Sequence, residues 1–280
     1  MENITRTFLG TALQVASYRK LDHVILDNTT LNQKYEILKD TVPASGNNPS
    51  IGYFAIGKGG HVGSATTDGT AMNKNLTHRY SDASLYEQIP FVIRDLDNDL
   101  TVSQRANYGL RQKKNISGVD YWVYWIKRVT AGTETITLKK TTTTDGNSTT
   151  VEFVPTSDNL NPTKPTLSNT NSTTTSGITV TVENVISLDI TEFDVAEIRN
   201  ACAIMFGDAD AAFISEIAVC SGQDKLSEIP LNDGTTTQMN EVIAVQCAHF
   251  IKSLKQLTSS DTGFSYAFNI GATEPILDAV

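Results

Sequence analysis

The chain has 280 residues, 39% of them apolar and 19% charged, enough to bury a full core without disulfides or metals. Its 22 Lys and Arg against 31 Asp and Glu leave a formal net charge of −9, which argues against a general phosphate-binding surface, so no nucleic-acid partner is expected. Thr and Asn make up about a fifth of the residues, and this uncharged polar bias is the feature a functional reading must explain.

From the N-terminus, Met1 to Thr7 lack a basic start followed by an apolar stretch, so no secretory signal is expected. Arg6 to Lys20 place Phe8, Leu9, Ala12, Leu13, Val15 and Ala16 at spacings that predict an amphipathic helix, packed within the fold or on a neighbour. Short apolar groups alternate with polar turns from His23 to Val42, and Pro43 to Pro49 reads as a loop. Ile51 to Gly57 predicts a strand entering the turn Gly57-Lys58-Gly59-Gly60-His61-Val62-Gly63. That turn matches neither the P-loop nor the dinucleotide fingerprint. Its glycines point to a positive φ or a close approach of another chain, with ligand binding through backbone amides as the lesser alternative.

Ser81 to Leu110 is compatible with helix, because Ser84…Glu87 and Thr101…Gln104 both match capping-box spacing, with Ile89 to Ile93 extended between them. Asp95 to Asp99 resembles a calcium loop only superficially, since Leu100 and Ala106 stand where Gly and Glu are needed, and it reads as an acidic turn. Arg105, Arg111, Lys113 and Lys114 form a basic cluster that reads as a solvated helix end or a contact for an acidic partner. Val119 to Val129 is the strongest predicted strand. Alternation sets Tyr121, Val123 and Trp125 against Trp122, Tyr124 and Ile126, so both faces need cover from the core, a neighbouring subunit or a sugar.

Residues 130–186 concentrate the Thr and Asn, with a hairpin turn at Asp145-Gly146, a break at Asn161 to Pro165 and a strand restarting at Gly177 to Val182. Thr191…Asp194 opens a helix that ends near Gly207. Ala211 to Cys220 fits strand or helix, Asn240 to Leu257 shows helical spacing although its start also fits a strand, and Phe264 to Ile270 alternates as a strand. These elements predict a β-rich α+β fold. Its form is an antiparallel sheet or sandwich with a few packing helices and a Thr/Asn-rich hairpin insertion at 130–186, between core parts at 1–129 and 187–280.

Cys202, Cys220 and Cys247 sit in apolar surroundings and read as buried thiols. The four histidines lack partners at metal-ligand spacing, and no nucleophile elbow or His-Glu-x-x-His run occurs. No metal, cofactor or catalytic residue is therefore assigned. Apolar runs stop well short of the roughly 20 residues that cross a bilayer, so a soluble chain without a membrane partner is predicted.

Several segments resemble an uncharacterised family of virion structural proteins of tailed bacteriophages. They are Phe54 to His61, His78-Arg79, Gln88 to Arg94, Asn98 to Thr101 and Tyr121 to Val129, then Phe193 to Gln223 and Asn269 to Pro275. The resemblance implies a non-enzymatic, repeated subunit of the virion, assembled in the host bacterial cytoplasm and contacting other virion proteins and further copies of itself. Its implied place is the tail or baseplate, with the neck or collar as alternative. A host-surface carbohydrate-binding module is a further alternative, raised by the Thr/Asn surface and the aromatic strand. Phe8, Leu9, Leu13, Trp122 and Trp125 are the candidate subunit contacts.

Overall fold

The computed structural model describes residues 4–65, 71–129, 137–144, 146–154, 156–158, 161, 176–230 and 234–276. In chain order come β1 (Ile4–Arg6), α1 (Phe8–Arg19), α2 (Leu31–Tyr35), β2 (Ser50–Gly57), β3 (His61–Ala65), β4 (Ala71–Asn75), β5 (Gln88–Ile89) and β6 (Val92–Asp95). Next are α3 (Val102–Arg105), β7 (Tyr108–Ile116), β8 (Val119–Arg128), β9 (Thr137–Thr144), β10 (Asn147–Glu152) and β11 (Ser176–Thr191). The last are α4 (Glu192–Phe206), β12 (Phe213–Pro230), β13 (Thr236–Gln256) and β14 (Gly263–Ile276). The fold is α+β and β-rich, built on a large antiparallel sheet.

Two compact units divide the chain: Met1–Val129 with Asp189–Phe264, and Thr130–Leu188 with Ser265–Val280. The first unit carries the large sheet in the order β1-β13-β12-β2-β8-β6, with β5 also on β2 and β7 on β8. The second carries the sheet β10-β9-β11-β14. There β9 and β10 pair from Thr144↔Asn147 onward, and Gly146 takes φ +80° in the predicted turn, whose Asp145 lies outside the described residues. The Asn161–Pro165 break and the Asn169–Thr175 run lie largely outside them as well.

Two stretches compatible with helix turn out mostly otherwise, and in one of them the strand alternative holds. Asn240 to Gln256 belongs to β13, where Glu241 to Ala248 are all buried; a run apolar on both faces satisfies helical spacing by accident. Between Ser81 and Leu110 only α3 is helical, capped by Thr101 and Gln104 as predicted. Ser84…Glu87 has the right spacing but starts no helix, because the Glu87 N–H bonds to Glu216 instead. A short helix that the apolar pattern does not announce, α2, is capped by Thr30 and Gln33.

Beyond the three residues paired with β1, the outer edge of β13 is closed by side chains of the N-terminal segment. Thr7 Oγ1 donates to the carbonyls of Cys247 and Ala248, and the Thr7 N–H also bonds to the latter. Gln246 reaches His23 and Thr29 through its side chain, while Asn32 bonds to Val242 O at 2.8 Å and receives the Val245 N–H at 2.9 Å. At the far end the carboxylate of Glu241 accepts the N–H of Leu110, on β7, at 2.7 Å. Side chains thus take the place of a ladder strand, which keeps an otherwise open edge from pairing elsewhere.

Candidate functional site

The glycine-rich turn after β2 cradles an anion supplied by the chain itself. Gly59 and Glu87 donate their N–H groups to Glu216 Oε1 at 3.0 and 2.9 Å, and Tyr86 donates to Oε2 at 3.0 Å. His78 Nε2 lies 2.7 Å from Oε2, while its Nδ1 lies 3.1 Å from Asp82 Oδ2. The imidazole is stacked between Tyr86 and Phe250, with ring centroids 4.1 and 3.9 Å away. Each carboxylate oxygen of Glu216 therefore receives two partners, the number its lone pairs accommodate, so the cradle is filled.

The glycines serve close approach, but to segments of the same chain and not to another chain as expected. A Cβ on Gly57 would come within 2.5 Å of Glu216 Oε1, and one on Gly60 within 2.4 Å of the Ser215 carbonyl oxygen. Burial alone would raise the Glu216 carboxyl, but the hydrogen bonds from His78 and from the Glu87 and Tyr86 amides outweigh it and hold the group below its ordinary value.

A second buried network anchors α4. Thr191 caps the helix together with Asp194, whose carboxylate also accepts from Lys127 Nζ at 2.6 Å and from Tyr108 Oη at 2.7 Å. Burial, then the Asp194 charge, raises the Tyr108 phenol. Nearby, Asp99 accepts from Tyr124 Oη at 2.7 Å and from Arg111 at 2.7 Å, so the acidic turn directs one carboxylate inward. Glu241 is raised, chiefly by burial, against the amides of Val242, Leu110 and Arg111. The thiol of Cys202 is pushed up to about 12 by burial, and all three cysteines are buried and free. Among the described residues no group of three or more His, Cys, Asp and Glu is placed to hold a metal ion.

The basic cluster is divided between the end of α3 and β7 and is no single helix end, and each of its members has a contact within the chain. Arg111 lies on β7, paired with Asp99 and stacked 3.3 Å over the ring of Trp122. Arg105 bonds to the Leu100 carbonyl, Lys113 pairs with Asp120, and Lys114 lies 5.1 Å from the Trp125 ring centroid.

Four of the five candidate contact residues are covered by their own chain. Trp125 stacks on Tyr35 at 4.1 Å and donates Nε1–H to Gln112, and Trp122 is roofed by Arg111, so the aromatic strand presents no open ring platform. Leu9 and Leu13 face inward from α1, held where Gly10 meets Ala248 of β13 closely enough to exclude a Cβ. Phe8 alone of the five is exposed, at 57%. The structure thus reassigns Leu9, Leu13, Trp122 and Trp125 to packing, because strand alternation and helical spacing mark what is covered without saying by what.

A feature that sequence reasoning missed is the outer part of β12 and β13. Beyond Gly222↔Ser50, β12 loses its β2 partner, yet β12 and β13 stay paired from Asp224↔Val242 to Pro230↔Thr236 as a two-stranded ribbon. Arg128 fastens the ribbon's base through Asp224 and the Asn240 carbonyl. A groove of about 320 Å³ lies between the ribbon's Leu226 and Met239 and the Val102 end of α3. The length of the paired run carried the signal, because strands of 18 and 21 residues far exceed the usual five or six.

Fold and site together define a β-rich α+β protein whose glycine cradle and charged networks are closed internally and whose sheet carries a projecting ribbon. No helix among the described residues is long and apolar enough to cross a membrane. The chain belongs to a family of unknown function (DUF7208), whose match spans residues 1–280. No curated protein and no solved structure matches it.

Proposed function

We propose that the chain is a repeated structural subunit of a tailed-phage virion, in the tail or its baseplate, acting through protein–protein contacts. The observation that carries this reading is the β12–β13 ribbon, which continues past its sheet for seven residue pairs. Two strands alone are marginal in water, so a ribbon about 20 Å long gains most from lying on another surface. The segmental resemblance to virion structural proteins supports the same reading. The buried carboxylates support it too, since Glu216, Asp194 and Asp99 are satisfied within the chain and ask no partner of a neighbour.

The test is mass spectrometry of gradient-purified particles together with a reconstruction of the intact virion. The chain is expected in multiple symmetric copies in the tail region, with residues 224–242 on a neighbouring subunit. Its absence from purified particles overturns the reading.

A further inference from the structure

We infer that Cys220 and Cys247 are the two halves of a cross-strand disulfide, a modification site that closes on oxidation by a hydroperoxide and locks the base of the β12–β13 ribbon. The inference does not depend on the structural-subunit reading, because it concerns a bond within one chain.

The two cysteines stand directly opposite each other in the antiparallel register of β12 and β13, and their thiols meet, with the Cys220 S–H directed at Cys247 Sγ at 3.9 Å. Opposed residues of an antiparallel pair have Cα atoms about 4.5 or 5.5 Å apart, and both values fall within the ~4.4–6.8 Å that a disulfide spans. Each sulfur has to move only about 1 Å to reach the ~2.05 Å bond length. Both side chains are fully buried and belong to one apolar cluster with Tyr35 and Trp125. Cys202 has other surroundings: it lies on α4, and the charged neighbours of its thiol are Lys58, Arg199, Asp208 and Glu87.

The position gives the bond a task. Register shifts fall between Val219 and Cys220 and between Ser221 and Gln223, so Cys220↔Cys247 and Ser221↔Gln246 are two pairs set between irregularities, and Ala244 of β13 takes φ +54° close by. Bulges interrupt ladder bonds and bend the strand, so a bridge here ties β12 to β13 where their backbones do so least. The ribbon that leaves the sheet, from Asp224↔Val242 to Pro230↔Thr236, lies wholly within the loop that the bridge closes.

The chemistry needs one small oxidant. A cysteine thiolate attacks an oxygen of hydrogen peroxide and breaks the O–O bond, leaving a sulfenic acid and, once the hydroxide takes up the thiol's proton, water. The second sulfur then displaces the sulfenic hydroxyl, forming the S–S bond and releasing a second water. Two thiols thus give up two electrons and one peroxide is reduced to two waters. The oxidant is close to water in size, and the resolving thiol is already in contact. The Cys220 thiol is raised, first by its hydrogen bond to Cys247 and then by burial, so little thiolate is present at neutral pH and closure is slow.

Millimolar hydrogen peroxide, applied for hours at pH 8 to the reduced, folded full chain, tests this. Thiols titrated in denaturant are expected to fall from the three of the sequence to one. A peptide map is expected to show Cys220 joined to Cys247, with the loss of two hydrogens, and Cys202 still a thiol. Closing a loop of 28 residues is expected to raise the melting temperature by roughly 7–14 °C, a gain that dithiothreitol reverses. Cys247→Ala, which removes one half, is expected to keep both of its thiols through the same treatment. Three thiols that persist in the wild type, oxidation that ends in a sulfinic acid at either position, or a bridge that takes in Cys202 each overturns the inference. So does a Cys220–Cys247 bridge that lowers the melting temperature, or a Cys247→Ala chain that loses thiols as fast as the wild type.

Discussion

Glu216→Gln probes the filled cradle directly. The substitution keeps the size of the side chain but turns one oxygen into an amide nitrogen whose hydrogens face other donors. With the nitrogen in the Oε1 place the N–H groups of Gly59 and Glu87 lose their acceptor; in the Oε2 place the Tyr86 N–H loses its own and the His78 ring must move its proton to Nδ1 to accept the amide, and in either case the remaining bonds lose the carboxylate charge. At about 1.5–3 kcal/mol for a bond to a charged group, the loss is ~3–5 kcal/mol, the range for removing one partner of a buried charged pair. With each kcal/mol lowering the melting temperature by roughly 2–4 °C at this size, the expected drop is about 6–20 °C. Calorimetry, and urea unfolding followed by tryptophan emission at pH 7, measure it. Because the folded carboxyl lies below its ordinary 4.5, Glu216 stabilises fully above the unfolded value, and that stability is lost as pH falls through the folded one. The variant therefore also flattens the acid limb. A loss under about 1 kcal/mol, the worth of an exposed pair, would refute the view that the cradle's amides depend on this carboxylate.

Gly60→Ala would drive a methyl to 2.4 Å from the Ser215 carbonyl oxygen, a backbone atom that cannot swing aside, and should cost about 2 kcal/mol or more in urea unfolding. Gly52→Ala, with open space around its Cβ, should stay within about 0.5 kcal/mol, and equal effects at the two sites would contradict the close-approach argument. His249, whose Nδ1 is buried without a partner, titrates at about 4 rather than 6.5 because of burial and then the Arg6 charge. The folded state holds it neutral, so its contribution is intact above pH 6.5 and shrinks by at most ~3 kcal/mol as pH falls to about 4. His249→Asn should reduce the difference between urea midpoints at pH 7 and pH 5, and an unchanged difference counts against the assignment. Leu13→Ala should cost about 2–4 kcal/mol and Phe8→Ala under about 1 kcal/mol, and the reverse order would mean that α1 packs by its other face.

Local signals held where the chemistry that sets an element is local. Thr191 and Gly207 bound α4 because one caps the first amides and the other takes the left-handed φ of +77° at the end. The aromatic strand Val119–Arg128 forms because bulky residues alternate over its length, and it is covered on both faces as expected. Where a decision lies elsewhere in the chain, spacing misled. Ser84…Glu87 spells a capping box, yet its amides answer to Glu216, about 130 positions away. The cradle was legible only as glycines requiring space or an unusual φ, since nothing in Gly57 to Gly63 names the carboxylate that enters from β12. Likewise, Trp122 and Trp125 had to be covered, but the covering groups, Arg111 and Tyr35, come from segments that local periodicity does not connect to them.

The N-terminal layer shows how edge protection and surface chemistry are linked. β13 has a free edge over its most apolar stretch, Val242 to Ala248, and an open apolar edge invites pairing with any exposed strand. A full neighbouring strand would satisfy it but would expose a new edge one position further out. Side-chain closure by Thr7, His23, Thr29 and Asn32 ends the ladder instead, because each group meets one or two backbone or amide partners and offers no strand of its own. The segment that does this must lie flat along β13, and a helix lying flat buries one stripe and displays the other. Leu9 and Leu13 fill the buried stripe, so the residues displayed at Phe8, Val15 and Tyr18 are free of any demand from the sheet.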